Sequence, residues 1–233
     1  MGKDGLSKGQ GFMKLRILFA LIIVLIITGC ANNTEEKKPK NREYTLKELT
    51  LFETTEEYTK DIKYPQLSNE DDYFKDINKL ILDSINEFDI FDYDRELYDG
   101  MEFIFTGDYE IKEQSKNGIS IVFVISSYIA GYPGPSEFCY GLNIDLATEK
   151  VVKLNEKVES MDAIIDAVND EKYVAEYGAF TQMSKEEILD DIEDVFNEKE
   201  FNTYKYNFYM TEDKVYLIVD DVIASDYGII LLQ

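Results

Sequence analysis

The stretch EFIFTGDYEIKEQSKNGISIVFVISSYIAG, residues 102 to 131, limits the fold more than any other part of the chain. Two apolar runs flank Asn117-Gly118, a pair that tolerates positive φ and so favours a tight hairpin turn. In the second arm Ile119, Ile121, Phe123 and Ile125 fall on one face of a strand, with Val122, Val124 and Tyr128 on the other. A strand that is apolar on both faces has to be covered on both, which places it inside a sheet and not at its edge. With 233 residues the chain is long enough for one or two domains with such a core.

The neighbouring segments supply the rest of an α+β unit. The run from Tyr44 to Leu67 is rich in Thr, Tyr and Leu with partial alternation, which predicts two strands ending near Pro65. Asn69 to Phe88 predicts a helix, because Phe74, Ile77, Ile81, Ile85 and Phe88 recur at steps of three and four. After the GYPGP loop, FCYGLNIDLATEKVVKL predicts a hairpin turning near Thr148-Glu149. Two helices follow. Ser160 is placed to cap one whose stripe is Met161, Ile164, Ile165 and Val168, with Gly178 as its stop. Ser184 and Glu187 form a capping box ahead of Ile188, Leu189, Ile192, Val195 and Phe196. A hairpin from YKYNFYMTEDKVYLIVDD and a short final strand, GIILLQ, close the chain. The expectation is one α+β domain over residues 44–233, mainly antiparallel sheet with about three helices, and no internal repeat.

The N-terminus has a different character. Ile17 to Ile27 is an unbroken apolar run, too short for a spanning helix of about 20 residues but suited to the apolar region of a signal peptide. Lys14 and Arg16 supply the positive charge before it, and Met13 can serve as the start. Ile27-Thr28-Gly29-Cys30 then resembles the bacterial lipobox, in which small residues give a peptidase access to the bond before a cysteine. The resemblance implies that residues 1–29 are a signal peptide. Cys30 then carries a diacylglycerol, and the mature protein is held at the outer face of the bacterial cytoplasmic membrane. Residues 30–43, almost without apolar content after the cysteine, form a flexible tether. With Cys30 acylated, Cys139 has no second thiol to pair with and is expected as a small buried hydrophobe.

Charge narrows the partners. Removing residues 1–29 takes away four of 24 basic residues and one of 47 acidic residues, leaving a net charge of −26. Such a surface repels nucleic acid and attracts basic proteins, polycations or divalent metals. Histidine is absent, which removes the usual general base and the commonest transition-metal ligand. Two cysteines are too few for a structural zinc site. No serine lies in a nucleophile-elbow context, and carboxylates are too numerous to single out a glycosidase pair. No catalytic residue, cofactor or metal is assigned.

The order YPQL, INKLILDSINEF, DYEI…NGISIVFVISSYIAGYPGP, NIDLATEKVVKL and NFYMTEDKVYLIVDDVIAS resembles the extracellular domain of lysozyme-sensing anti-sigma factors of the RsiV type. That module is also attached to some cell-wall polysaccharide deacetylases. The resemblance covers roughly residues 44–233. Three departures stand out. The loop Ala130–Pro135 holds no histidine, the family's Thr-Gly-Lys turn is Thr148-Glu149-Lys150, and a signal-like segment stands where a sigma-binding domain would be. An anti-sigma role is therefore not expected, nor is deacetylase chemistry.

Two segments are candidate sites. In SYIAGYPGPSEFCY, Tyr128, Tyr132, Pro133, Phe138 and Tyr140 form either a stiff aromatic contact surface or a hairpin connection with its rings packed inward. Asp89, Asp92, Asp94, Glu96 and Asp99 crowd one segment. It lacks the EF-hand glycine and reads as a solvated acidic loop more than as a calcium site. Asp190, Asp191, Glu193 and Asp194 read as the solvated face of a helix. The combined expectation is a cell-surface lipoprotein and not an enzyme. Its body would capture lysozyme or another basic wall-active protein, or alternatively serve as an accessory that binds cell-wall glycan (peptidoglycan).

Overall fold

A computed structural model describes residues 43–69, 73–87, 101–131, 134–173, 180, 183–195, 207–223 and 226–233. In chain order the elements begin with β1 (Thr45–Thr54), β2 (Tyr58–Ser68), α1 (Lys75–Glu87), β3 (Phe103–Gln114) and β4 (Gly118–Ile129). They continue with β5 (Ser136–Asp145), β6 (Lys150–Val151), a 3-10 turn (Leu154–Glu156), α2 (Met161–Asn169) and α3 (Lys185–Val195). The last are β7 (Phe208–Met210), β8 (Val215–Ile223) and β9 (Asp226–Leu231). Strands β1 to β6 form one sheet in sequence order, and β7 to β9 a second. All pairs are antiparallel except β2–β3, and the crossover between these two carries α1, as a parallel connection requires. The expected α+β architecture is therefore present.

Apolar periodicity explains the layering. Phe74, just ahead of α1, and Ile77, Ile81 and Ile85 on its buried side pack against Ile62, Phe105, Ile121, Phe123, Leu142 and Ile144 of the larger sheet. Part of that sheet's other face meets the smaller sheet, where Val122 and Cys139 contact Tyr209, Ile218, Tyr227 and Ile229. Cys139 is a buried thiol, in the packing role expected of it. The far side of the smaller sheet is covered by α2 and α3, through Ile164, Val168, Ile188 and Ile192. Strand β4 thus lies in the middle of a sheet with apolar cover on both faces.

Two buried polar residues join the sheets. The Ser120 hydroxyl donates to Asn143 Oδ1 at 2.7 Å and accepts from the Met210 amide at 3.0 Å. Asn143 Nδ2 donates to the Phe208 carbonyl at 2.7 Å. These side chains bond one outer carbonyl and one outer amide of β7, a strand only three residues long. The approach needs Gly141, because a Cβ there would stand 1.9 Å from the Phe208 carbonyl oxygen.

Several local expectations are corrected. Strand β2 does not end at Pro65 but runs to Ser68, with Pro65 opposite Glu48. The β2–β3 ladder stops at Ile62, so the missing N–H falls where no strand asks for it. Helix α1 starts at Lys75, later than Asn69, whose side chain instead accepts from the Tyr73 amide at 3.2 Å. The Asn117-Gly118 hairpin forms, but neither residue takes positive φ. The Ser115 hydroxyl closes the turn instead, accepting from the amides of Asn117 (3.3 Å) and Gly118 (3.1 Å). The β5–β6 turn places Glu149 at φ 57 where expected, and Asp145 Oδ1 accepts from the amides of Ala147 and Thr148, both at 2.8 Å.

Among the helix ends, the Ser184–Glu187 capping box is formed. The Ser184 amide donates to Glu187 at 2.7 Å and the Glu187 amide to Ser184 Oγ at 3.3 Å. Ser160 stands at the N-cap of α2 with extended backbone but makes no side-chain capping bond. Helix α2 ends at Asn169, well before Gly178, which lies outside the described residues along with Phe88, Asp89 to Asp99 and Phe196.

Candidate functional site

The smaller sheet covers only part of one face of the larger one. The register shows what is left open. Phe52 pairs with Asp61, Asp61 with Thr106, Thr106 with Ser126, and Ser126 with Glu137. Residues directly opposite one another share a face, so these five form one row across β1 to β5. Four steps of about 4.8 Å make the row roughly 19 Å long. Its neighbours along β3, Phe105 and Gly107, face the α1 side, where a Cβ on Gly107 would touch Ile62 and Ile125. The row therefore lies on the opposite side, away from α1.

Its members are open to solvent. Asp61, Thr106 and Glu137 are exposed and Ser126 is half-buried. Phe52, at 69% exposure, stands at the β1 end of the row. Tyr128, at 40%, stands two residues beyond Ser126, about 7 Å along the strand. These are the exposed large apolar side chains among the described residues, and both lie on this face. Beside the row Asp61, Lys63, Thr106, Asp108, Val124, Ser126 and Glu137 line a recess of about 390 Å³.

Lys63 bridges to Asp108 at 2.9 Å within the recess. The hydrogen bond from Lys63, then that from the Tyr109 amide, holds the Asp108 carboxyl below its ordinary value. The same bond and the Asp108 charge hold the Lys63 ammonium above its own. Both side chains are exposed, so the pair fixes geometry more than it adds stability. Chemically the face offers carboxylate acceptors, two hydroxyls and two rings. Among the described residues no three His, Cys, Asp or Glu side chains converge as metal ligands.

The residues expected to form a site fare differently. Tyr128 is exposed at the end of β4 and joins the open face. Phe138 is half-buried and packs toward the α1 side. Tyr140 is a correction as a surface residue. It is 2% exposed and stacked on Phe123, ring centroids 4.9 Å apart, because strand alternation sends it into the core. Tyr132, Pro133 and Cys30 lie outside the described residues. On either side of the first two, Gly131 and Gly134 take φ 96 and φ 83, conformations that favour glycine. Phe52, Asp61, Thr106, Ser126 and Glu137 were not singled out by the sequence. The one local hint was Leu51-Phe52, since a strand cannot bury both of two successive side chains on one face.

No family model matches the sequence, and no curated protein does. Solved structures give matches. One is a member of the DUF3298 family from Bacteroides fragilis, at 13% identity and a TM-score of 0.46, covering 82% of this chain and 90% of that one. Another is a DUF3298 family protein from Pseudomonas aeruginosa, at 13% identity and a TM-score of 0.43, covering 82% of this chain and 88% of that one. The chain is similar to proteins of that family.

Proposed function

We propose that this chain is a lipid-anchored module at the bacterial cell surface that captures a basic wall-active protein, lysozyme being the concrete candidate. The observation that carries the reading is the open sheet face, where Phe52 and Tyr128 flank a row holding Asp61 and Glu137. Aromatic anchors beside carboxylates suit a cationic protein surface. The rings exclude water, and the charges steer the encounter. The mature charge of −26 extends that steering beyond the contact itself.

The test is retention of lysozyme by the unit from Asn41 to Gln233, immobilised and washed at increasing salt. Capture at low ionic strength that weakens as salt rises is expected. The double variant Phe52→Ala with Tyr128→Ala should lose tenfold or more in affinity while staying folded. Absence of retention at low salt sinks the reading. For the anchor, the full chain should incorporate labelled palmitate in a bacterial host, and Cys30→Ser should abolish incorporation.

One observation favours a glycan instead. Thr106 and Ser126 are adjacent hydroxyls between two carboxylates, a pattern that hydrogen-bonds sugar hydroxyls while a ring stacks on the sugar face. Sedimentation with purified peptidoglycan, insensitive to salt and lost in Tyr128→Ala, would select that reading.

A further inference from the structure

The backbone of β1 has a direction that its hydrogen bonds settle. The Thr55 amide donates to the Tyr58 carbonyl at 2.8 Å, which fixes the odd-numbered residues of β1 as those facing β2. The β2 side agrees. Leu67, opposite Leu46, spends both its backbone groups on the Asn78 side chain at 2.8 Å each, and Pro65, opposite Glu48, has no N–H to give. The N–H and C=O groups of Leu46, Glu48, Thr50, Phe52 and Thr54 therefore all point outward, along about 26 Å of edge.

Other edges are short or covered in part. Strand β6 has two residues. On β7 the Phe208 carbonyl is bonded by Asn143 and the Met210 amide by Ser120. Strand β9 is bridged by Tyr173 at Ile230, and its Leu231 amide donates to the Lys172 carbonyl at 2.9 Å. Strand β1 is the outer strand of the larger sheet, with no strand paired on its far side among the described residues. It holds ten residues in unbroken register, with no proline and no bulge.

We propose that the β1 edge is a strand-addition site for an extended, lysine- or arginine-rich segment of a partner protein. The chemistry of that occupant follows from charge, and the inference rests on the reading of the partner as cationic. Residues 43–57 carry five carboxylates and one lysine. A second copy would bring the same excess to the same edge, so self-pairing is opposed while a basic strand is attracted. The ladder supplies affinity. The exposed Phe52 ring, whose backbone is one of the outward five, supplies a side-chain contact.

The test uses the full chain in detergent and a blocked nine-residue peptide alternating lysine and valine, with a glutamate-valine peptide as control. The lysine peptide should bind at least tenfold more tightly than the control. On binding, amide exchange at Glu48, Thr50 and Phe52 should slow tenfold or more, while Lys47, Leu49 and Leu51 stay unchanged. Two peptides N-methylated at alternate positions, one in each phase, leave the protein untouched. One phase should lose binding tenfold or more and the other should keep it. Equal binding by both phases overturns the proposal, as does protection without the alternation. A β1-paired dimer of the chain at low salt also overturns it. Lysozyme capture that survives a failed peptide test leaves the function of the open face standing. Peptide binding without lysozyme capture leaves the edge site standing and removes lysozyme as the partner.

Discussion

Single residues join the two sheets. Asn143 has no exposed surface and holds two partners, so Asn143→Ala leaves both the Ser120 hydroxyl and the Phe208 carbonyl short of a bond in a dry interior. A loss of about 2–4 kcal/mol is expected in denaturant unfolding. Gly141→Ala should be worse, since its Cβ would meet backbone that cannot rotate away, and little folded protein should be recovered. Tyr44 gives a pH signature. Burial, and after it the charge of Glu113, pushes its phenol up to about 12, while its hydroxyl donates to the Ser115 carbonyl at 3.1 Å. The folded chain then holds that proton more tightly than the unfolded chain. The stabilisation is fully present below pH 10 and is lost as pH rises from 10 through 12. The difference between wild type and Tyr44→Phe in unfolding midpoint should shrink over that window. None of these roles was visible in the sequence, because each depends on a residue more than 60 positions away.

Elements were legible where their signals are local. The capping box of α3 needs only Ser184 and Glu187 three residues apart, and it forms as expected; Ser184→Ala should cost about 1 kcal/mol. Helix α2 ends at Asn169 and not at Gly178, because its C-terminus closes without a glycine. The amides of Glu171 and Lys172 return to the carbonyls of Val168 and Ala167, both at 3.0 Å, and Glu171 accepts φ 56 to allow it. Hydrogen bonds there outweigh the steric cost of a side chain. Glu171→Gly should therefore raise stability by about 0.5–1 kcal/mol, read as a higher denaturant midpoint. Pro65 is likewise a local signal that its neighbours override. Proline ends strands in general, but the neighbouring strand that would need its N–H is already finished at Ile62.

For the whole molecule, charge is the lever. The isoelectric point near 4.3 means that acidification from neutrality removes the field that attracts a cationic partner. Capture of lysozyme should fall steeply as pH approaches that value, while a glycan held by hydroxyl contacts should show a shallower dependence. Retention measured from pH 7 to pH 4.5 separates the two. The sequence by itself determined the class of fold, the central place of β4, the helices and the strong negative charge. Those follow from periodicity and composition, which act over a few residues or over the whole chain at once. Only the tertiary structure decided which side chains meet. Phe52, Asp61, Thr106, Ser126 and Glu137 come from five strands, and their row exists through register alone. Tyr140, equally aromatic in the sequence, falls one residue out of phase with that row and is buried. A period of two makes each strand offer both faces, and the packing of α1 and the smaller sheet chose which face stayed open.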